Sequence, residues 1–531
     1  MKILVCFKVL PNPDGILDED WENFSLTSDI SYAGLDYNCF DASALEIGLK
    51  LKEQAAVQGA GVSCTALSVC SKITPKFAQS LYSVGFDDVI ALSLQNREFK
   101  SREVARLISD YAKKIGADIV LTGAQAGFAE TGLVPYYISE FLNYPMLANI
   151  ETASFGDDCL ICLCRENTAL IEKRVDCPLV LCVNNSPEVL RFATLKARMA
   201  CRTKQAENII AENADESLFN PTLIRPKSGR VCEMLEKDSE ESAEKVLEIL
   251  KKYSTDESES KQMTQGKESW EKFLKEKAVF VKSNCFCGED KNELLKLYEK
   301  LDKKLIVLPD SQEGRALAVF LSEKKGLDIF INAKIEDIKL DSIDVKKHVC
   351  GANLEWKKTL IYPCVITVQK SEEEKLKSIN EALLDSSSCD KMKCIKSERV
   401  IEKPQPTSLD FAPLVIACGA GMGSKEAFDR ARILAQKLNA GFGLTRPSAL
   451  NAWGSPTEII GQSGSIISPK CVLVLGAAGA GAFMLGIENS KKIIAVNTDC
   501  NALIFKNSDI GIECDANNFV EKLISLLERE D

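Results

Sequence analysis

The stretch Gly443–Phe505 decides the fold. It reads GLTRPSALNAW from 443, EIIGQSGSIISP from 458, CVLVLGAAGAGAFMLGI from 471 and KKIIAVNTDCNALIF from 491. Cys471–Leu475 and Ile493–Val496 are short unbroken apolar runs, the pattern of parallel strands covered on both faces, and small or polar residues follow each at once. The turn Gly476-Ala-Ala478-Gly479-Ala480-Gly481 carries no bulky side chain, so backbone N–H groups and the start of the next helix can approach a pyrophosphate. Gln462 and Ser463, between Gly461 and Gly464, are placed to reach a ring system held above them. The residues alone predict a large phosphorylated cofactor at the C-terminal ends of these strands.

The 531 residues predict roughly three domains. A hydrophobic fraction of 45% supports ordinary cores, and a net charge of −11 argues against a nucleic-acid or anionic-membrane surface. No apolar run is long enough for membrane insertion, and MKILVCFKVLP reads as a strand rather than a signal peptide, so a cytoplasmic protein is expected. The 21 cysteines have no paired framework spacing and suit a reducing compartment. Cys159, Cys162 and Cys164 lie in an alternating hairpin pattern without a nearby fourth ligand, and Cys285 and Cys287 stand alone, so no metal site is expected. The single histidine, His348, argues against histidine-driven catalysis.

Residues 1–200 alternate strand and helix patterns: KILVCFKVL (2–10), DASALEIGLKLKEQAA (41–56), VSCTALSVC (62–70), KFAQSLYSV (76–84), DDVIALSL (87–94), SREVARLISDYAKKIG (101–116) and ADIVLTG (117–123). Such alternation predicts a mostly parallel sheet with helices on both faces. PTLIRPKSGRVCEML (221–235) is extended, SEESAEKVLEILKK (239–252) is an amphipathic helix, and STDESESKQMTQGKES (254–269) is a polar tether. Beyond it, AVFVKSN, KLIVLPD, LDIFINAKI and YPCVITV read as strands, NELLKLYEKL and RALAVFLSEKK as helices, and SIDVKKHV with KTLIYP as an antiparallel pair. KSERVIEKPQPTSLD (396–410) reads as a hinge.

The ordered series TR (445–446), GQSG to SP (461–469), GAAGA (476–480), NTD to IF (497–505) and SDIGI (508–512) resembles the FAD-binding domain of the electron transfer flavoprotein alpha subunit. FKVLP (7–11), NCFDASALEIGLKLKE (38–53), SVGFDD (83–88), LTGAQAGFAETG (121–132) and RFATLKARMA (191–200) resemble that family's beta subunit, and 315–368 resembles part of the alpha subunit's first domain. The resemblance implies an α/β chain of parallel-sheet nucleotide-binding domains: a beta-like domain with a C-terminal arm (1–255), a linker (256–270), a truncated alpha N-terminal-like domain (271–400) and an FAD-binding domain (405–531). It implies an electron carrier between a flavin dehydrogenase and an acceptor protein, with FAD performing the redox chemistry.

By motif, the resemblance places Arg446 against the flavin, Ser463 at N5, Gln462 and Gly464 along the ribityl and phosphate path, and Gly476, Ala478, Gly479 and Ala480 at the pyrophosphate. Asn497, Asp499 and Asp509 are placed at the adenosine end. A second nucleotide, AMP or a second FAD, would meet Asn38, Asp41, Gln125 and Thr131, and Leu195 would dock the partner dehydrogenase. Several positions depart from the family. Cys39 replaces a proline, the 123–132 loop is short, Gly419-Ala420-Gly421 lacks an arginine, Asn451 and Ser465 replace an aspartate and a lysine, and Phe483, placed by the resemblance among the cofactor-binding residues, replaces a histidine that donates to flavin O2. Loss of that donor predicts a lowered first-electron potential. Two other readings stand beside this one: an NAD-dependent oxidoreductase, from GAGMG after PLVIAC, and a nucleotide-binding assembly protein with a degenerate second site.

Overall fold

A computed structural model spans residues 1–531 and describes all of them except 26–27, 94–99, 126–129, 167–168, 185, 212–220, 227–228, 238, 256–277, 283–290, 292–293, 297, 300–304, 351–352, 370–371, 373–375, 377–379, 384–394, 403–408, 410, 463 and 531. The expected linker 256–270 therefore lies outside the described residues, as do Ser463, Cys285 and Cys287.

The unbroken apolar runs become sheet cores. The largest sheet has ten strands, in the spatial order Glu207–Ile210, Asp88–Ser93, Ser63–Val69, Lys2–Cys6, Ile119–Gly123, Leu179–Val183, Met146–Phe155, Leu160–Glu166, Ala169–Val175, Ile395–Glu402. The first seven are mutually parallel and the last three antiparallel. Apolar clusters cover both faces, one around Leu45, Leu49 and Leu81, the other around Leu107, Ile108 and Ile138. Helix Ser101–Ile115 illustrates the local logic. Ala105, Leu107, Ile108 and Ala112 are buried along one stripe, Lys113 and Lys114 complement the dipole of the last turn, and Gly116 ends the helix at φ 65 with its N–H on Lys113 O.

Asp328–Phe330, Cys364–Val368, Leu305–Pro309, Ala278–Lys282 and Asn380–Leu383 form a five-stranded parallel sheet. The antiparallel pair read from SIDVKKHV and KTLIYP is present as Ser342–Val349 against Leu354–Ile361, within a four-stranded sheet completed by Thr222–Ile224 and Lys334–Ile338. LDIFINAKI is thus not one strand. It breaks at Asn332, which adopts φ 55, and its two halves join different sheets.

The C-terminal sheet has six parallel strands, ordered Glu233–Leu235, Ile510–Glu513, Lys492–Asn497, Cys471–Leu475, Leu414–Cys418, Gly441–Leu444. The arm after residue 221 divides: Thr222–Ile224 belongs to the four-stranded sheet, whereas helix Glu240–Thr255 buries Ala243, Val246, Leu247 and Leu250 in one core with Leu414, Phe428 and Phe519. The expected hinge is partly a strand, because Ile395–Glu402 pairs with Ala169–Val175 and Lys396 bonds Asp158 and Asp176 at 3.0 Å. The charged residues of IKSERVIE suit an edge strand, and residues 396–401 are all exposed.

Candidate functional site

Strand Leu414–Cys418 pairs with Gly441–Leu444 on one side and Cys471–Leu475 on the other, so the strand order reverses between it and Cys471–Leu475, where open α/β sheets bind ligands beyond the strand ends. Two glycine turns meet there at backbone distance. Gly421 N–H donates to Gly476 O at 2.9 Å, and a Cβ on Gly421 would fall 2.6 Å from that oxygen. Gly476 (φ 63) and Gly479 (φ 87) are left-handed, and Gly479 lies against the backbone of Ile504, so both positions need glycine. Among the described residues, no acceptor takes the N–H groups of Ala478, Gly479, Ala480, Gly481 or Ala482. Five successive free donors, opening into helix Gly481–Ile487, fit a pyrophosphate.

Asn497 and Asp499 lie beside this turn. Asn497 Nδ2 donates to Ala477 O at 2.9 Å and its Oδ1 accepts from Asp499 N–H, also at 2.9 Å, which fixes the floor of the turn and leaves Asp499 exposed. Asp509 is elsewhere. It precedes Ile510–Glu513, at the opposite end of the sheet, where its carboxylate accepts from Arg230 Nη1 at 2.5 Å and Ile493 N–H at 2.7 Å. Those bonds tie the arm to the sheet, so Asp509 is corrected from a ligand to a structural residue.

Phe483 is corrected as well. The helix presents residues 483, 484 and 487 to the sheet, and Phe483 packs among Val415, Ala417, Ile467 and Phe505. Phe483 thus faces this unit's own core.

The remaining residues read for the flavin face the first unit. Arg446 opens helix Arg446–Leu450; burial raises the pKa of the nearby Cys39 thiol, against the opposing pull of the Arg446 guanidinium. Gln462 donates through Nε2 to Glu130 Oε1 at 2.6 Å, and its own N–H bonds Ala482 O at 2.8 Å. Gly464, which packs on Ile459, borders the same cavity. This cavity of about 200 Å³ lies between three units and is bounded by Gln125, Glu130, Lys347, His348, Gln462 and Glu488. Burial pushes Lys347 down to about 8, against the opposing pull of Glu130. Its Nζ donates to Glu130 O at 2.8 Å. Burial also lowers His348, whose Nε2 sits 3.1 Å from Glu488. Asp310, despite burial, is held below the usual carboxylate range by Arg315 and Thr367. Sequence reasoning missed Glu130, Lys347 and the Cys39 contact; Glu130 stood directly before the noted Thr131–Gly132 pair.

The residues read for a second nucleotide are bonded largely within the chain. The order of the ten-stranded sheet also reverses, between Lys2–Cys6 and Ile119–Gly123. There the Asp41 carboxylate accepts from Lys8 N–H at 2.9 Å and Gly123 N–H at 3.1 Å, closing the crevice, and a Cβ on Gly123 would lie 2.8 Å from Phe40 Cβ. Burial raises Asp41 to about 7. Asn38 Nδ2 donates to Gln125 O at 2.7 Å, and Thr131 Oγ1 bonds Ser101 Oγ at 2.6 Å. Asn38, Asp41 and Thr131 are thus bonded within the chain, while Gln125 takes part through its backbone carbonyl.

Leu195 begins helix Leu195–Ala200, capped by Thr194 Oγ1 at 3.3 Å from Ala197 N. It is 75% exposed, with Phe192 90% and Met199 63% exposed beside it, and Arg191 anchors the segment to Glu46 at 2.7 Å. Cys162 and Cys164 are buried strand residues, and no metal-binding group of three acidic, cysteine or histidine side chains occurs among the described residues. Nor, among them, is any helix long and apolar enough to cross a membrane.

Residues 408–488 match the electron transfer flavoprotein FAD-binding domain, and residues 31–213 match the electron transfer flavoprotein domain. The cofactor of the matched C-terminal domain is FAD. The chain is 33% identical over 175 residues to the mitochondrial electron transfer flavoprotein subunit alpha of Oryza sativa subsp. indica, covering 31% of this chain and 49% of that protein. It is 40% identical over 110 residues to Protein FixB of Azorhizobium caulinodans, covering 21% and 30%. It is 26% identical over 247 residues to the lactate dehydrogenase (NAD(+),ferredoxin) subunit LctC of Acetobacterium woodii, covering 45% and 59%. The chain thus spans between 30% and 59% of the length of these relatives.

Proposed function

We propose that this chain is an FAD-dependent electron carrier, with beta-like and alpha-like parts fused in one polypeptide, that passes electrons from a flavin dehydrogenase to an acceptor protein. The observation that carries the reading is the row of free N–H groups from Ala478 to Ala482, inside the matched FAD-binding domain and at the strand-order reversal. When bound, FAD supplies the electron chemistry; the chain's residues bind and orient it. Gly476 to Gly481 would take the pyrophosphate, Gln462 and Gly464 the ribityl path, and Asn497 and Asp499 the adenosine end. Arg446 and the Cys39 side of the first unit would border the ring. The Arg446 guanidinium would favour the negative charge that reduction adds, more strongly where water is excluded. The exposed Phe192, Leu195 and Met199 would meet the protein partner, whose contact would cover their apolar surface.

The NAD reading lacks a ribose acceptor: Gly441–Leu444 ends in Thr445 and Arg446 instead of an acidic residue. Anaerobic titration of FAD-loaded protein tests the carrier reading. Dithionite should bleach the flavin band, a one-electron dye should restore it, and NADH alone should leave it unchanged. Rapid bleaching by NADH alone would favour the oxidoreductase instead, and failure to take up FAD would favour the assembly protein.

A further inference from the structure

We propose that Glu130 is a positioning residue that sets which end of the Gln462 amide faces the cofactor. This rests on the reading that FAD occupies the C-terminal edge of the six-stranded sheet. The two residues are 332 positions apart and joined by the 2.6 Å bond from Gln462 Nε2 to Glu130 Oε1. A carboxylate accepts and does not donate, so the amide nitrogen must be the atom turned toward Glu130. The amide oxygen is then the atom left to a ligand, and the site presents an acceptor there. FAD has matching donors in its ribityl hydroxyls and ring N–H.

Both residues are held from behind. The Glu130 backbone carbonyl accepts from Lys347 Nζ at 2.8 Å, and Glu130 itself adopts φ 43. Lys347 comes from strand Ser342–Val349 of the middle unit and stacks over Trp356 at 5.3 Å. On the other side, Gln462 N–H is fixed to Ala482 O at 2.8 Å, and Gly461 (φ 126) lies against that same carbonyl. Three parts of the chain, the loop at 130, the strand at 347 and the loop at 462, thus converge on one amide. Without Glu130 that amide could turn and offer N–H groups to the same ligand donors, leaving two donors face to face.

The test compares full-length parent, Glu130→Ala, Gln462→Glu and the exchange Glu130→Gln with Gln462→Glu, by quenching of FAD fluorescence and by melting of the FAD-free chain. Glu130→Ala should raise the FAD Kd about tenfold, the scale of one lost oriented hydrogen bond. Gln462→Glu sets two carboxylates against each other and should raise it further. The exchange restores a donor and an acceptor with an oxygen still facing the ligand, and should return the Kd to within about threefold of the parent. A merely structural role would not produce this recovery. Unchanged affinity in Glu130→Ala, or an exchange no better than Gln462→Glu, would overturn the proposal. If the parent takes up no FAD, the FAD reading fails. A mutant cycle on melting of the FAD-free chain then decides the clasp separately: coupling between 130 and 462 supports it, and additivity overturns it.

Discussion

The two large parallel sheets each reverse their strand order once, and the two reversals differ in one chemical respect. At Lys2–Cys6 and Ile119–Gly123 the backbone N–H groups of Lys8 and Gly123 are taken by Asp41, which closes the crevice among the described residues. At Leu414–Cys418 and Cys471–Leu475 the donors of Ala478 to Ala482 have no acceptor among the described residues. Fold topology therefore offers two sites, and polar satisfaction selects one. A crevice whose donors have internal partners gains little from a ligand, whereas a row of free donors stands ready for an anion.

The contrast breaks most directly at Gly479. Gly479→Val forces a β-branched residue to φ 87 against Ile504 and should abolish FAD retention; flavin content of the purified variant measures this, and normal loading would refute the open-crevice account. The closed crevice should show itself in pH dependence. Asp41 has a folded-state pKa raised by burial to about 7 from 3.8, so the folded state holds the proton more tightly. That contribution to stability is present at low pH and is lost as pH rises from about 4 through 7, amounting to about 4 kcal/mol at most. Asp41→Asn should flatten the dependence in that window, as read by urea unfolding at several pH values; parallel curves would contradict it.

A smaller effect is expected at Arg446. Arg446→Leu should weaken binding of reduced FAD about tenfold more than oxidised FAD, because the lost contact is to charge gained on reduction. Equal weakening of both forms, measured by titration, would leave Arg446 a packing role only. Leu195 lies in neither crevice and serves as the control. Leu195→Ala should shift stability by no more than about 0.5 kcal/mol and leave flavin content unchanged, while slowing electron exchange with the protein partner in stopped-flow mixing. A fall in flavin content would place Leu195 in the structural core of the account instead.

Much of this architecture was legible from local pattern. The runs Cys471–Leu475 and Ile493–Val496 became strands because unbroken apolar stretches need cover on both faces, and the glycines at 476 and 479 marked left-handed turns. What escaped the sequence depends on direction and distance. Phe483 and Asp509 lie in the expected motifs, yet helix phase turns one into the core and strand direction puts the other at the far edge. IKSERVIE looked like a hinge because its polar residues face water, while its pairing partner at 169–175 lies more than 200 residues away. The Glu130–Gln462 bond and the Asp41 closure join residues with no local signal of each other.

The central claim is one open and one closed nucleotide crevice in a single chain. The measurement that tests it most directly is quantification of nucleotides released by heating the purified, FAD-saturated protein. The account predicts one FAD per chain and no AMP. Two flavins per chain, or AMP in equal amount to FAD, would show that the Asp41 crevice opens to a nucleotide and would contradict it.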